Sequence, residues 1–161
     1  MFEPDLIALA KQAVELLTTR QQTLATAESC TGGLISALVT EIPGASRVFH
    51  YGWVTYANEA KMRELSVPAA LIEQFTVVSE PVVQAMAASA REQAGADYAL
   101  AVSGNAGPTA AVGEPPVGTV CLALASAGGV VSQTLIHPEL SRHYFRMMVA
   151  REALRLLLRQ F

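Results

Sequence analysis

Residues 23–40 run Thr23-Leu24-Ala25-Thr26-Ala27, then Glu28-Ser29-Cys30-Thr31-Gly32-Gly33, then Leu34-Ile35-Ser36-Ala37-Leu38-Val39-Thr40. The first block predicts a short strand over Thr23–Ala27. The last predicts a helix of about Leu34–Thr40, closed by Pro43-Gly44. A strand passing through a Ser/Gly turn into a helix is the unit of an α/β sheet. Ahead of it, Pro4 suits the first turn of a helix in which Leu6, Leu9, Ala10, Ala13, Leu16 and Leu17 recur at helical spacing. Behind it, Val48–Tyr56 is rich in β-branched and aromatic residues with apolar groups on both faces, which predicts a buried strand.

Further along, Asn58 is positioned to N-cap a short helix carrying Ala60, Met62 and Leu65. Ser79 and Pro81 open another helix, with Val82, Val83, Met86, Ala87 and Ala90 inward and Gly95 at its end. Tyr98–Val102 reads as a strand and Ser103–Pro116 as a loop, long enough to suggest a functional role. Val117–Ala125 and Val130–Ile136 flank Gly128-Gly129, a hairpin signal. The last helix is expected from about Glu139 to Gln160, with Phe145, Met148, Val149, Ala153, Leu156 and Leu157 as its apolar stripe. Arg151, Arg155 and Arg159 on another face read as a solvated row. The order α-β-α-β-α-α-β-β-β-α predicts an α/β fold, a three-layer α/β/α sandwich with a mixed, mostly parallel sheet of about five strands. The hairpin supplies the antiparallel strand. No repeat or linker divides residues 1–161, which read as one domain.

The chain of 161 residues is 52% hydrophobic and 16% charged, so it calls for a doubly covered core. A net charge of −3 leaves no basic surplus for a phosphate backbone, and nucleic-acid binding is not expected. The uncharged stretch Pro115–Ile136 raises the membrane question, but Pro115-Pro116, Gly118 and Gly128-Gly129 break it into strands and a turn. With no basic or apolar leader in the opening residues, a cytoplasmic location is expected by elimination. Cys30 and Cys121 are the only cysteines and make no disulfide framework. Paired cysteine ligands and an H-E-x-x-H pattern are both missing, so no metal site and no cofactor are expected.

Ser29 lies where a strand ends, before a glycine pair and a helix start. A helix N-terminus offers free N–H groups and partial positive charge, and Gly32 and Gly33 admit close approach. A serine here can act as a nucleophile whose oxyanion is held by backbone donors of Cys30, Thr31, Gly32 and Gly33. The plainer alternative is that Ser29 or Thr31 only caps the helix. The histidines, His50, His137 and His143, are scattered and read as structural. Only two lysines occur, Lys11 and Lys61. Lys61 follows a strand at the start of a short helix, where desolvation and the helix dipole would both depress its pKa, as a base requires. Tyr56 could relay a proton if the chain turns at Ala57-Asn58. An exposed Lys61 is the alternative.

Ser103-Gly104-Asn105-Ala106-Gly107-Pro108 follows a strand, and ligands of open α/β sheets gather beyond the carboxyl ends of strands. Its N–H groups could face a phosphate, or it could be an ordinary loop. Arg142 and Arg146 share a helix face and suit phosphate or carboxylate, with a surface stripe as the alternative.

Four of these segments together resemble a known family. Thr26–Gly33, Gly52–Lys61 and Val78–Val83 resemble three successive signatures of the CinA C-terminal domain family. Ser103–Pro108, followed by Pro116-Val117-Gly118-Thr119-Val120, resembles the fourth. Order and spacing agree over about residues 5–160. The resemblance implies a mixed three-layer α/β fold and a homodimer. It also implies a nicotinamide-nucleotide amidase, which hydrolyses nicotinamide mononucleotide to nicotinate mononucleotide and ammonia with a serine, a tyrosine and a lysine. Carried over, these are Ser29, Tyr56 and Lys61. The Ser103–Gly107 loop and Arg142 then fall to the substrate, a small-molecule pyridine nucleotide. Some members carry the domain behind an N-terminal partner, whereas residues 1–161 are expected to hold this domain alone. Three places depart from the family pattern: Thr109-Ala110-Ala111-Val112-Gly113 replaces further glycines, Asn105 replaces a small apolar residue or threonine, and Leu140-Ser141 replaces Gly-Asp before Arg142. All lie on the segments expected to bind substrate. The rival readings are an amidase for another small amide and a non-catalytic nucleotide-binding or interaction domain.

Overall fold

The computed structural model describes residues 2–161. Its helices are α1 (Pro4–Arg20), α2 (Leu34–Thr40), α3 (Asn58–Leu65), α4 (Ala69–Phe75), α5 (Glu80–Ala94) and α6 (Arg142–Leu158). Its strands are β1 (Leu24–Glu28), β2 (Phe49–Val54), β3 (Tyr98–Gly104), β4 (Thr119–Ser126) and β5 (Gly129–Ile136). They form one five-stranded sheet in the order β2-β1-β3-β4-β5. β1 pairs parallel with β2 and β3, whereas β4 pairs antiparallel with β3 and β5. Only β4 therefore runs against the rest, as the hairpin signal predicts.

The strands alternate large and small residues, and this sets the layers. Leu24, Tyr98, Leu100, Val102, Val120, Leu122 and Leu124 face one side, where they pack with α1, α2 and α6 through Leu6, Leu17, Leu38, Phe145 and Val149. Ala25, Ala27, Ala99, Ala101, Cys121, Ala123 and Ala125 face the other, against Val82, Val83, Met86, Ala87 and Ala90 of α5. An alanine face lets a helix lie close to the sheet, and a period of two gives each strand both faces. Ala101→Leu should overpack this layer and cost about 1–3 kcal/mol in a urea melt.

Five expectations change. β2 is an edge strand, with Tyr51, Gly52 and Val54 exposed. It is not buried, because β1 lies between it and β3. Helix α4 is an addition: it has no buried residue, hence no stripe to read. The last helix begins at Arg142 rather than Glu139, with Ser141 at its N-cap. Asn58 is the first residue of α3 and Ala57 its N-cap, with no side-chain capping bond. The arginine row is paired as well as solvated: Arg151 bridges Glu3 and Asp5, and Arg155 and Arg159 meet Glu152. Among the described residues no helix is long and apolar enough to cross a membrane.

From β1 the chain reaches β2 through α2 on one face of the sheet. From β2 it returns to β3 through α5 on the other. The ends of β1 and β3 are therefore a topological switch point, where open α/β sheets hold their ligands. Ser29 follows one of these ends and Ser103-Gly104 form the other, joined by the Ser29 amide donating to the Val102 carbonyl at 3.1 Å.

Candidate active site

Glu28 builds the turn that carries Ser29, the candidate nucleophile. Its side chain is fully buried. Its Oε2 accepts from Thr31 Oγ1 at 2.6 Å and from the amides of Gly33 and Ile35 at 3.1 and 3.0 Å. Its Oε1 accepts from the Ser36 amide and hydroxyl at 2.8 and 2.7 Å. A carboxylate thus occupies the N-terminal donors of α2, with Gly33 (φ 95°) supplying the left-handed turn into the helix. On the other side, Arg146 donates to the carbonyls of Cys30 and Thr31 at 3.2 and 2.7 Å. Glu28→Gln would set an amide group against donors. It should cost about 3 kcal/mol in chemical denaturation.

This scaffold corrects part of the expected oxyanion site. The Gly32 amide donates to the Ser29 carbonyl, and the Gly33 amide to Glu28. Thr31 is fully buried, with its hydroxyl on Glu28. Thr31, Gly32 and Gly33 shape the turn and do not line the cavity. Among the described residues no protein acceptor takes the amides of Cys30 and Thr31, and of these two residues only Cys30 reaches the cavity wall. The Cys30 amide is therefore the unpaired backbone donor that adjoins Ser29 in the cavity wall.

Lys61 is 1% exposed. Its Nζ donates to Ser29 Oγ at 2.9 Å, to the Thr55 carbonyl at 2.8 Å and to the Tyr56 carbonyl at 3.3 Å. Burial pulls its pKa down to about 8, against the opposing pull of Cys30, Glu114 and Glu59. A neutral amine has two N–H bonds and one lone pair. The two carbonyls take the N–H bonds, and the lone pair is left to accept the Ser29 hydroxyl proton. Cys30 is no rival nucleophile, since burial and then the Glu28 charge push its thiol up to about 12.

Tyr56 does not relay between the pair. The residue is 59% exposed. Its hydroxyl accepts from Arg142 Nη2 at 2.9 Å, while Arg142 Nη1 donates to the Gly107 carbonyl at 2.6 Å. Arg142 thereby ties the β2–α3 connection, the β3–β4 loop and the start of α6 together at the cavity mouth. Arg146, its neighbour on the helix face, is spent on the nucleophile turn.

The cavity, about 280 Å³, is lined by Ser29, Cys30, Tyr56, Lys61 and Arg142, together with Ser103, Gly104, Asn105, Ala106 and Gly107. Ser103 Oγ donates to the Val77 carbonyl at 2.9 Å. A Cβ on Gly104 would stand 2.9 Å from the Val120 side chain, so β3 and β4 come together there only with glycine. Asn105 spans its own loop: Nδ2 donates to the Pro115 carbonyl at 3.2 Å and Oδ1 accepts the Gly107 amide at 3.1 Å. Asn58, Val77, Val78 and Glu114 also line the cavity and were not foreseen. Glu114 is the one acid in a loop otherwise without charge, which was the available signal. A larger groove of about 710 Å³ between α1 and the Glu41–Arg47 segment holds no nucleophile beside a base. Among the described residues no group of three His, Cys, Asp or Glu could hold a metal.

Comparison with known proteins gives the family and the fold of the chain. The CinA C-terminal domain matches residues 6–161. A CinA-like protein of Akkermansia muciniphila is 50% identical over 148 residues, covering 91% of this chain and 36% of that protein. One from Shewanella sp. strain ANA-3 is 42% identical over 156 residues, covering 97% of this chain and 37% of that protein. The chain thus spans about a third of the length of these curated relatives. Among solved structures, competence/damage inducible protein CihA from Agrobacterium tumefaciens superposes with a TM-score of 0.94 at 37% identity, covering 98% of this chain and 96% of that one. A CinA superfamily protein from Escherichia coli gives 0.94 at 30% identity, covering 100% and 94%.

Proposed function

The chain belongs to the CinA C-terminal domain family, and on that premise we propose that it is a nicotinamide-nucleotide amidase, hydrolysing nicotinamide mononucleotide to nicotinate mononucleotide and ammonia. The observation that carries this reading is the buried contact of Lys61 Nζ with Ser29 Oγ at 2.9 Å, with carbonyls on the amine's remaining positions.

Neutral Lys61 takes the Ser29 proton as Oγ bonds to the carboxamide carbon. The Cys30 amide donates to the oxyanion. As the intermediate collapses, the C–N bond breaks and Lys61 returns its proton to the departing nitrogen, which leaves as ammonia. Water then enters. Lys61 takes one of its protons as the water oxygen bonds to the acyl carbon, and when the acyl–Oγ bond breaks Lys61 returns that proton to Ser29 Oγ and the acid is released. Arg142 is assigned to the nucleotide phosphate, since it is a cation at the cavity mouth whose guanidinium is bonded to a phenol and a carbonyl rather than to a carboxylate.

Ammonia release from nicotinamide mononucleotide, nicotinamide riboside and unrelated small amides tests the reading. The mononucleotide should be turned over fastest, and absence of release from it would refute the proposal. Arg142→Ala should raise KM about tenfold with kcat changed less than about threefold, because a phosphate contact remote from the reacting carbon binds ground and transition states alike.

A further inference from the structure

Besides Lys61, the cavity wall carries two charged side chains, and they approach it from opposite faces of the sheet. Arg142 comes from α6, which packs on the large-residue face. Glu114 comes from the β3–β4 loop and sits on the segment leading into α5, on the alanine face. Its Oε1 accepts the Val77 amide at 3.2 Å and its Oε2 the Val78 amide at 3.4 Å. Both bonds are long and come from neutral donors, so the carboxylate charge is poorly compensated. Among the described residues no lysine, arginine or histidine forms an ion pair with it. Its charge acts on the Lys61 amine, and Lys61 must be neutral when it acts as base. In the working state Glu114 is therefore a half-buried anion facing a cavity with no positive partner. Tyr56 adds an exposed aromatic ring to the same wall.

A half-buried carboxylate without a cation is costly, and a ligand cation relieves that cost. Nicotinamide joined to ribose through its ring nitrogen is a permanent pyridinium cation that also carries a phosphate anion. Its two charges match the polarity of the cavity, positive ring toward Glu114 and phosphate toward Arg142. Resting on the amidase reading above, we propose that Glu114 is the specificity-determining counter-ion of the cavity, selecting carboxamides on a positively charged ring over those on a neutral one.

The test is binding to the Ser29→Ala chain by calorimetry, with oxidised nicotinamide mononucleotide and its 1,4-dihydro form as probes. They share the carboxamide, ribose and phosphate, while the reduced ring is uncharged. The oxidised form should bind about tenfold more tightly. Adding Glu114→Gln, which keeps an oxygen for the Val77 or Val78 amide, should weaken the oxidised form alone and bring the two within about twofold. Equal affinities in the Ser29→Ala chain would overturn the inference without recourse to the second substitution. Equal weakening of both forms by Glu114→Gln, or no weakening, would overturn it too, by leaving Glu114 only a latch on the loop. Binding of neither form by a folded Ser29→Ala chain would also overturn it. Ammonia release by the unmodified chain then judges the amidase reading separately, since that reading survives a loss of ring selectivity and fails only if the mononucleotide is not hydrolysed.

Discussion

Ser29→Ala should lower ammonia release from nicotinamide mononucleotide by at least about a thousandfold while the protein stays folded. Among the described residues the hydroxyl is the one atom of the cavity wall that combines a buried amine at 2.9 Å with a free backbone donor on the next residue. Its removal deletes the bond-forming atom. It leaves Lys61 with both carbonyl acceptors and leaves the Glu28 bonds to Thr31, Gly33, Ile35 and Ser36 untouched. Stability should therefore move by no more than about 1 kcal/mol. A thermal melt beside the ammonia assay separates the two effects, and full release by the folded variant would refute the mechanism.

Lys61→Met should be comparably inactive, yet no less stable at neutral pH. Folding lowers the Lys61 pKa from 10.5 to about 8, mainly through burial. Between those values the unfolded chain holds a proton that the folded chain has released, so stability rises with pH through that window. Below about 8 both states are protonated and the burial penalty is present in full, about 3 kcal/mol for this shift. Methionine fills the space without a charge and removes the penalty, at the loss of three hydrogen bonds. Urea melts at pH 7, 8, 9 and 10 should show the parent gaining stability with pH and the variant lacking that gain. The parent's kcat/KM should rise about tenfold from pH 7 to a plateau above about 8, following the neutral fraction of the base. An equal pH slope in parent and variant would mean that Lys61 is not the group that titrates.

How much of this was legible in the sequence depended on the range of the interaction. Strand–turn–helix at Thr23–Thr40 and the Gly128-Gly129 hairpin are local, and both formed as read. The meeting of Ser29 with Lys61 was also within reach, because lysine is scarce in this chain and Lys61 follows a strand end closely. The turn at Ala57-Asn58 that brings Lys61 back to Ser29 exists, although it is made without the Asn58 cap. The Tyr56 relay failed for a geometric reason. Its backbone carbonyl, and not its phenol, faces the amine. The phenol projects outward to Arg142, which lies 86 positions away. Long-range facts were illegible throughout. Val48–Tyr56 has the composition of a buried strand, and only the strand order makes it an edge. Glu28 resembles any acid before a serine until residues 31–36 fold back onto its carboxylate. Glu114 gains its place from Val77 and Val78, which no spacing rule joins to it. The glycines after Ser29 suggested an anion cradle, but two of their amides were already committed within the turn.

The mechanism requires Lys61 to give up its proton near neutrality while held against Ser29. Nuclear magnetic resonance of the protein labelled with 13C and 15N in lysine reads this directly, with the Lys61 signal assigned by its loss in Lys61→Met. A titration midpoint at about 8 is expected for that signal. A midpoint at the ordinary lysine value of 10.5 would contradict it.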